Sequence, residues 1–132
     1  RQTGASLDVW QDDGLAPTRP PRRVDAILSV NWLYHIPGAS MESFLRTYRP
    51  CLNTGGKIVC DVVDASYNRV TDNEFHTRDR HLPPLRRRPS ECTFRLSREE
   101  MENIAARHGF SIVRHTLLRA RPQRAVYLLE SR

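Results

Sequence analysis

The chain has 132 residues and a formal net charge of +6, so it offers enough length for one domain at most. It contains no apolar run long enough for a membrane-spanning helix and no basic-plus-apolar targeting signal, so we expect a cytoplasmic protein without a membrane partner. The three cysteines, Cys51, Cys60 and Cys92, lack Cys-x-x-Cys spacing. This argues against both a disulfide framework and a zinc knuckle.

Arginines supply the basic excess, mainly just before residue 24 and between residues 78 and 88. A basic surface of this kind can bind RNA or DNA. However, Lys57 is the only lysine, which indicates a GC-rich genome rather than selection for phosphate contacts. Aromatic residues are not interleaved with the arginines as in single-strand stacking surfaces. Nucleic-acid binding is therefore the less favoured alternative.

Residues 1–23 are predicted to form a short strand, Leu7 to Trp10, and then a proline-rich loop that begins with an Asp-Asp-Gly turn. The apolar run from Val24 to Val30 is typical of a strand covered by helices on both faces, and Lys57 to Val63 has the same character. The residues between them show helical apolar spacing at Met41, Phe44, Leu45, Tyr48 and Leu52. A right-handed parallel crossover is expected.

Residues 65–96 have few apolar anchors and are predicted to form a long irregular segment. Long loops of this kind are usually functional or disordered. His76, Asp79 and His81 could be drawn as a metal site, but their spacing matches no standard ligand pattern. We therefore predict no metal.

Residues 97–132 are predicted to form a helix and two antiparallel strands. Ser97 and Glu100 have the spacing of a capping box, and Gly109 suits the end of the helix. Phe110 to Ala120 and Arg124 to Ser131 are the predicted strands, and their short connection requires a hairpin.

The pattern from Asp25 to Lys57 resembles the class I (Rossmann-like) S-adenosylmethionine-dependent methyltransferases. The matching residues are Asp25 at the start of a strand, Asn31, Leu33, His35 and Ile36 after it, and the turn of Leu52, Gly55, Gly56 and Lys57. The resemblance implies an α/β fold with mostly parallel strands and a carboxyl-terminal antiparallel hairpin. Residues 1–132 would then be the carboxyl-terminal portion of one domain. Its parts are residues 1–23, 24–64, 65–96 and 97–132, with the third part on the substrate side.

Members of this family hold their cofactor with a Gly-rich loop after the first strand and a carboxylate after the second. No Gly-x-Gly loop follows a strand in this sequence. We therefore expect the first three strands of the domain to lie outside these residues. On this view the chain alone is inactive and binds S-adenosylmethionine poorly.

The resemblance implies a cofactor site for S-adenosylmethionine on four residues. Asp12 is preferred over Asp13 as the acceptor for the adenine amino group, while Asn31 and Trp32 follow the strand that precedes the site. Other roles stay open for these residues: the two aspartates suit a turn, Asn31 can serve the local backbone, and Trp32 can belong to the core.

Three further residues are candidates for the chemistry. Tyr34 and Tyr67 are predicted to contact the substrate, and His35 is the nearby side chain able to move a proton near neutral pH. Tyr34 as a core residue and His35 as a helix-entry cap are the alternatives. The predicted function is methyl transfer to a small-molecule acceptor. A noncatalytic remnant or partner-binding module and an RNA- or DNA-binding domain are the alternatives.

Overall fold

The computed structural model describes residues 11–17, 22–36, 38–66, 77–79, 81–86, 95–120 and 123–132. These residues form a mixed sheet with two α-helices. In chain order the elements are β1 (Val24–Ser29), α1 (Met41–Tyr48), β2 (Leu52–Asp64), β3 (Arg95–Leu96), α2 (Arg98–Arg107), β4 (Phe110–Leu118) and β5 (Arg124–Ser131). Single 3-10 turns lie at Leu33–His35, Arg49–Cys51, Thr77–Asp79 and Pro84–Arg86. The predicted strand from Leu7 to Trp10 lies outside the described residues.

The strand order β1-β2-β5-β4 confirms the α/β sheet that the sequence predicted. β1 pairs in parallel with β2, and β3 pairs in parallel with the last two residues of β2. β5 runs antiparallel to both β2 and β4, so the predicted terminal hairpin is also confirmed. Because β5 runs antiparallel to β2 and its first residue, Arg124, pairs with Val63, its amino end lies at the edge where the parallel strands end.

α1 begins as its sequence requires but ends earlier than predicted. Ser40 caps it by accepting a hydrogen bond from the Ser43 N–H, and Met41, Phe44 and Leu45 are its buried residues. The helix stops at Tyr48 because Pro50 cannot continue it, and a 3-10 turn follows. Leu52, predicted as the last residue of the helical stripe, instead begins β2.

The boundaries of α2 were predicted closely. Ser97 and Glu100 form the reciprocal capping box, in which each side chain accepts from the other residue's backbone N–H. Gly109 follows the helix with a φ of +75°, the left-handed conformation that favours glycine.

Within the described chain, helices pack against only one face of the sheet, whereas the apolar sequence of β1 predicted helices on both faces. Alternate residues of β2 and β5 join residues of α1 and α2 in the core, including Ile58, Cys60, Tyr127 and Leu129. On the other face Leu28 is 71% exposed and Val30, just after β1, is 46% exposed. The prediction of a strand covered on both faces is therefore wrong for these residues.

Cys60 carries a pH-dependent part of the stability. Burial, with a smaller contribution from the charge of Asp61, raises the pKa of its thiol from 9.0 to about 12. Above pH 9 the unfolded chain loses this proton while the folded chain keeps it, so the free energy of unfolding falls as pH rises. Between pH 8 and pH 10 the wild-type protein should lose about 1 kcal/mol more than Cys60→Ala in urea unfolding. Parallel pH dependences for the two proteins would contradict this assignment.

Candidate active site

The candidate site lies where the carboxyl ends of β1 and β2 meet the amino end of β5. Open α/β sheets bind their ligands at this edge. The segment Asn31–Ile36 leaves β1 here and carries four of the residues that the sequence singled out. Its backbone turns sharply at the first residue, since Asn31 has a φ of +56°. Asparagine tolerates this left-handed conformation better than most residues.

Asn31 is held by a buried carboxylate on the neighbouring strand. Its backbone N–H donates to Asp61 Oδ1 at 2.7 Å. Asp61 is 2% exposed, although it lies within an otherwise apolar stretch of β2. A carboxylate buried in this way requires hydrogen bonds and an opposite charge, and Asn31 supplies one of these bonds.

Arg124, the first residue of β5, supplies the opposite charge. Its Nη1 donates to Asp61 Oδ2 at 2.9 Å, to Asn31 Oδ1 at 3.0 Å and to the Tyr34 hydroxyl at 3.3 Å. The Tyr34 hydroxyl in turn donates to Asn31 Oδ1 at 2.9 Å. Nη1 has two N–H bonds for three oxygens, so at least one of its hydrogens is shared. We call these four residues the Arg124 cluster.

The cluster further stabilises the charged form of the guanidinium. The hydrogen bond with Tyr34 raises the pKa of Arg124 most, and the charge and hydrogen bond of Asp61 add to it, against an opposing effect of burial. The Arg124 side chain is 23% exposed, whereas that of Asp61 is 2% exposed. Loss of the ion pair would therefore cost more free energy at the buried Asp61 carboxylate than at the partly exposed Arg124 guanidinium.

Sequence reasoning missed two of the four members, Asp61 and Arg124. A signal existed for Asp61, because an acidic residue inside the apolar stretch from Ile58 to Val63 needs a buried partner. Nothing in the sequence distinguishes Arg124 from the many other arginines. Its role follows from the antiparallel register, which pairs it with Val63.

An apolar cleft of about 210 Å³ lies beside the cluster, along β1. Its walls are Ile27, Leu28, Ser29, Val30, Trp32, Phe44 and Tyr48. Phe44 is central to the aromatic wall, with its ring centroid 6.4 Å from that of Trp32 and 4.9 Å from that of Tyr48. The hydroxyl of Ser29 is buried and has no hydrogen-bond partner within the described part of the chain.

The turn with the two predicted aspartates packs against this cleft. The Tyr48 hydroxyl donates to the Gly14 carbonyl at 2.6 Å, and a Cβ added at Gly14 would lie 2.8 Å from the Trp32 ring. Asp13 holds the turn, since its Oδ1 accepts from the Leu15 N–H at 2.9 Å. Burial raises the pKa of Tyr48, and the charges of Cys51, Asp12 and Asp13 add to that rise. The turn that carries both aspartates therefore lies against the cleft wall.

His35 is exposed and lies in the 3-10 turn after Asn31. Its ring centroid is 4.4 Å from that of Tyr34. The alternative of a helix-entry cap is wrong, because Ser40 caps α1. Tyr34 is 1% exposed and contributes its hydroxyl to the Arg124 cluster, so substrate contact by Tyr34 stays a prediction.

Two further predictions concern residues after β2. Tyr67 and His76 lie outside the described residues. Asp79 is buried and His81 is exposed. No group of three or more potential metal ligands occurs within the described ranges. None of the helices in these ranges is both long and apolar enough to cross a membrane.

Comparison with known proteins identifies the family. A family model described as a methyltransferase domain matches residues 2–115. The chain belongs to this methyltransferase family. Its strand order, with an antiparallel strand inserted beside the parallel ones, is that of the class I Rossmann-like methyltransferase fold. None of the curated protein sequences matches the chain significantly.

Solved structures of methyltransferases share the fold at low sequence identity. An S-adenosylmethionine-dependent methyltransferase from Methanosarcina mazei matches with a TM-score of 0.69 and 11% identity, over 99% of this chain and 70% of that one. Magnesium protoporphyrin IX methyltransferase from Synechocystis, with bound S-adenosylhomocysteine, matches with a TM-score of 0.62 and 12% identity. The alignment covers 92% of this chain and 49% of the Synechocystis enzyme, so the chain spans about half of that enzyme's length.

A third match is a Burkholderia thailandensis enzyme, 1,6-didemethyltoxoflavin-N1-methyltransferase. Its structure contains bound 1,6-didemethyltoxoflavin and S-adenosylhomocysteine. The TM-score is 0.56 at 13% identity, over 84% of this chain and 45% of that one. At these identities the similarity shows the fold.

Proposed function

We propose that the complete protein binds S-adenosylmethionine at the carboxyl end of β1 and transfers its methyl group to a small-molecule acceptor. The observation that carries this proposal is the position of the aromatic cleft beside the Arg124 cluster, in a chain of the methyltransferase family. The flat rings of Trp32 and Phe44 and the polar Asn31 together suit a ligand that has both an aromatic base and polar groups.

The described residues fit part of the cofactor. Complete ligand pockets usually enclose about 300–1,000 Å³. The cleft, at about 210 Å³, therefore suits one ring system, and we assign it to the adenine. The turn that carries Asp12 packs against the cleft walls Tyr48 and Trp32 through Gly14, so Asp12 is the acceptor that we propose for the adenine amino group. Asn31, at the end of the same strand, would contact a polar group of the cofactor outside the cleft.

S-adenosylmethionine supplies an already activated methyl group, so little acid or base catalysis is needed. The residues of this chain would mainly bind, align and exclude water. Trp32 and Phe44 would shield one side of the base, while Asn31 would orient a polar group at the strand end. His35, exposed at the same end, would accept the proton that the substrate releases.

A small-molecule acceptor is favoured by two of the structural matches. Their names specify magnesium protoporphyrin IX and 1,6-didemethyltoxoflavin as the compounds they methylate. We extend only the substrate class to this protein. The exposed position of His35 allows an acceptor to approach from solvent.

Titration calorimetry of the complete, folded protein with S-adenosylhomocysteine tests this proposal. We expect saturable binding with one site per chain. No heat at millimolar ligand would contradict the proposal and would favour a noncatalytic, partner-binding role instead.

Asp12→Asn and Asp13→Asn form a matched pair for the adenine contact. If Asp12 accepts a charge-assisted hydrogen bond from the adenine amino group, Asp12→Asn should weaken S-adenosylhomocysteine binding by about 1–3 kcal/mol. Asp13→Asn should do less, because its amide oxygen can still accept from the Leu15 N–H and preserve the turn. Calorimetry on both variants measures the difference. Equal losses, or a larger loss for Asp13→Asn, would contradict the assignment to Asp12.

A further inference from the structure

The Arg124 cluster fixes which end of the Asn31 amide faces the protein. Asn31 Oδ1 accepts two hydrogen bonds, from the Tyr34 hydroxyl and from Arg124 Nη1. A side-chain NH₂ group cannot accept these bonds, so the oxygen must be the atom that faces the two donors. Asn31 Nδ2 then keeps both N–H bonds without a partner among the described residues, at an exposed position.

The same ion pair also holds the Asn31 backbone. Asp61 Oδ1 accepts from the Asn31 N–H, and Asp61 Oδ2 accepts from Arg124. Asn31 adopts a left-handed conformation with a φ of +56°, which non-glycine residues adopt only when their surroundings favour it. Side chain and backbone are thus both fixed through a single guanidinium–carboxylate pair.

We propose that Arg124, held by Asp61, is a positioning residue that turns the two Nδ2 donors of Asn31 toward an acceptor atom of the cofactor. This inference rests on the proposed function. The matching ligand atom is a hydrogen-bond acceptor, such as a carboxylate oxygen, a ribose oxygen or a ring nitrogen. Arg124 itself acts through Asn31, with Nη1 as the guanidinium nitrogen that donates to the cluster.

The competing explanation is that Arg124 only joins β5 to β2. The chain offers a matched control for that role, because Lys57 and Glu130 form a second ion pair at 3.1 Å between the same two strands. That pair is exposed on both sides and lies toward the other end of the strands. Lys57→Gln therefore removes a link between β2 and β5 without touching Asn31.

A double-mutant cycle on the complete protein separates the two explanations. The variants are Arg124→Gln, Asn31→Gly and the double substitution, with glycine chosen because it accepts positive φ without strain. Calorimetry measures the dissociation constant of S-adenosylhomocysteine for each. We expect each single variant to bind about tenfold more weakly, and the double variant to bind no more weakly than Asn31→Gly. Lys57→Gln should stay within about twofold of wild type.

Two results would overturn the positioning role. One is multiplication of the two single effects in the double variant, and the other is wild-type affinity for Arg124→Gln. If Arg124→Gln does not fold, the same cycle is run with Arg124→Gln combined with Asp61→Asn in place of Arg124→Gln, because these two changes together leave no unpaired buried carboxylate. The same two results would then overturn the positioning role.

A ligand-free measurement keeps this inference distinct from the proposed function. If the wild-type protein binds no S-adenosylhomocysteine, the proposed function fails, and amide hydrogen exchange then decides whether Arg124 positions Asn31. The Asn31 N–H should exchange at least about tenfold faster in Arg124→Gln than in wild type, and at the wild-type rate in Lys57→Gln. Unchanged exchange in Arg124→Gln would overturn the positioning.

Discussion

Arg124→Met is expected to lower the free energy of unfolding by about 3–5 kcal/mol at neutral pH, because it leaves a buried carboxylate without its charge partner. Asp61 is 2% exposed and accepts from Arg124 Nη1 at 2.9 Å. After the substitution only the Asn31 N–H would remain as a hydrogen-bond donor to this group among the described residues. Urea unfolding at pH 7 measures the loss.

Two companion variants make this result specific. Asp61→Asn in the Arg124→Met background removes the unpaired charge and keeps an acceptor for the Asn31 N–H, so it should restore about half of the lost stability. Lys57→Met breaks the exposed ion pair with Glu130 and should cost less than about 1 kcal/mol. Similar small losses for Arg124→Met and Lys57→Met would contradict a buried, charge-dependent cluster.

His35→Ala is expected to lower turnover about 100-fold or more in the complete enzyme. A positioned general base contributes on this scale. The affinity for S-adenosylhomocysteine should stay near the wild-type value, because the imidazole is exposed and lies outside the cleft walls. Single-turnover kinetics measures the loss of turnover, and calorimetry on the same sample measures the affinity for S-adenosylhomocysteine.

His108→Ala is the control for this substitution. His108 ends α2, beside the start of β4 and therefore far from the strand ends that carry the site. It should cost stability without changing turnover per folded molecule. If His35→Ala is likewise fully active per folded molecule, His35 has no catalytic role.

Local sequence signals predicted some elements better than others. The capping box and Gly109 fixed α2 closely because all of the deciding interactions lie within a few residues. The end of α1 was predicted too late, since the apolar spacing continued to Leu52 although Pro50 stops the helix. The exposure of the Leu28 side chain could not be predicted from the β1 sequence either, because an apolar pattern does not show which elements pack against the strand.

The residues of the candidate site also differ in how well the sequence predicted their positions. Asn31, Trp32, Tyr34 and His35 form one short segment after a predictable strand, and the structure keeps them together. Asp61 and Arg124 lie 30 and 93 residues from Asn31, so their contact depends on the register of three strands. A one-residue shift in the β2–β5 pairing would move Arg124 to the other face of the sheet. Local patterns do not contain that register.

A crystal structure of the complete protein with S-adenosylhomocysteine would show where the cofactor lies relative to the cleft and to Asn31. We expect the adenine in the cleft against Trp32 and Phe44, and an acceptor atom of the ligand within hydrogen-bond distance of Asn31 Nδ2. Ligand bound away from the carboxyl end of β1, with the cleft empty and Asn31 Nδ2 facing only solvent, would contradict it.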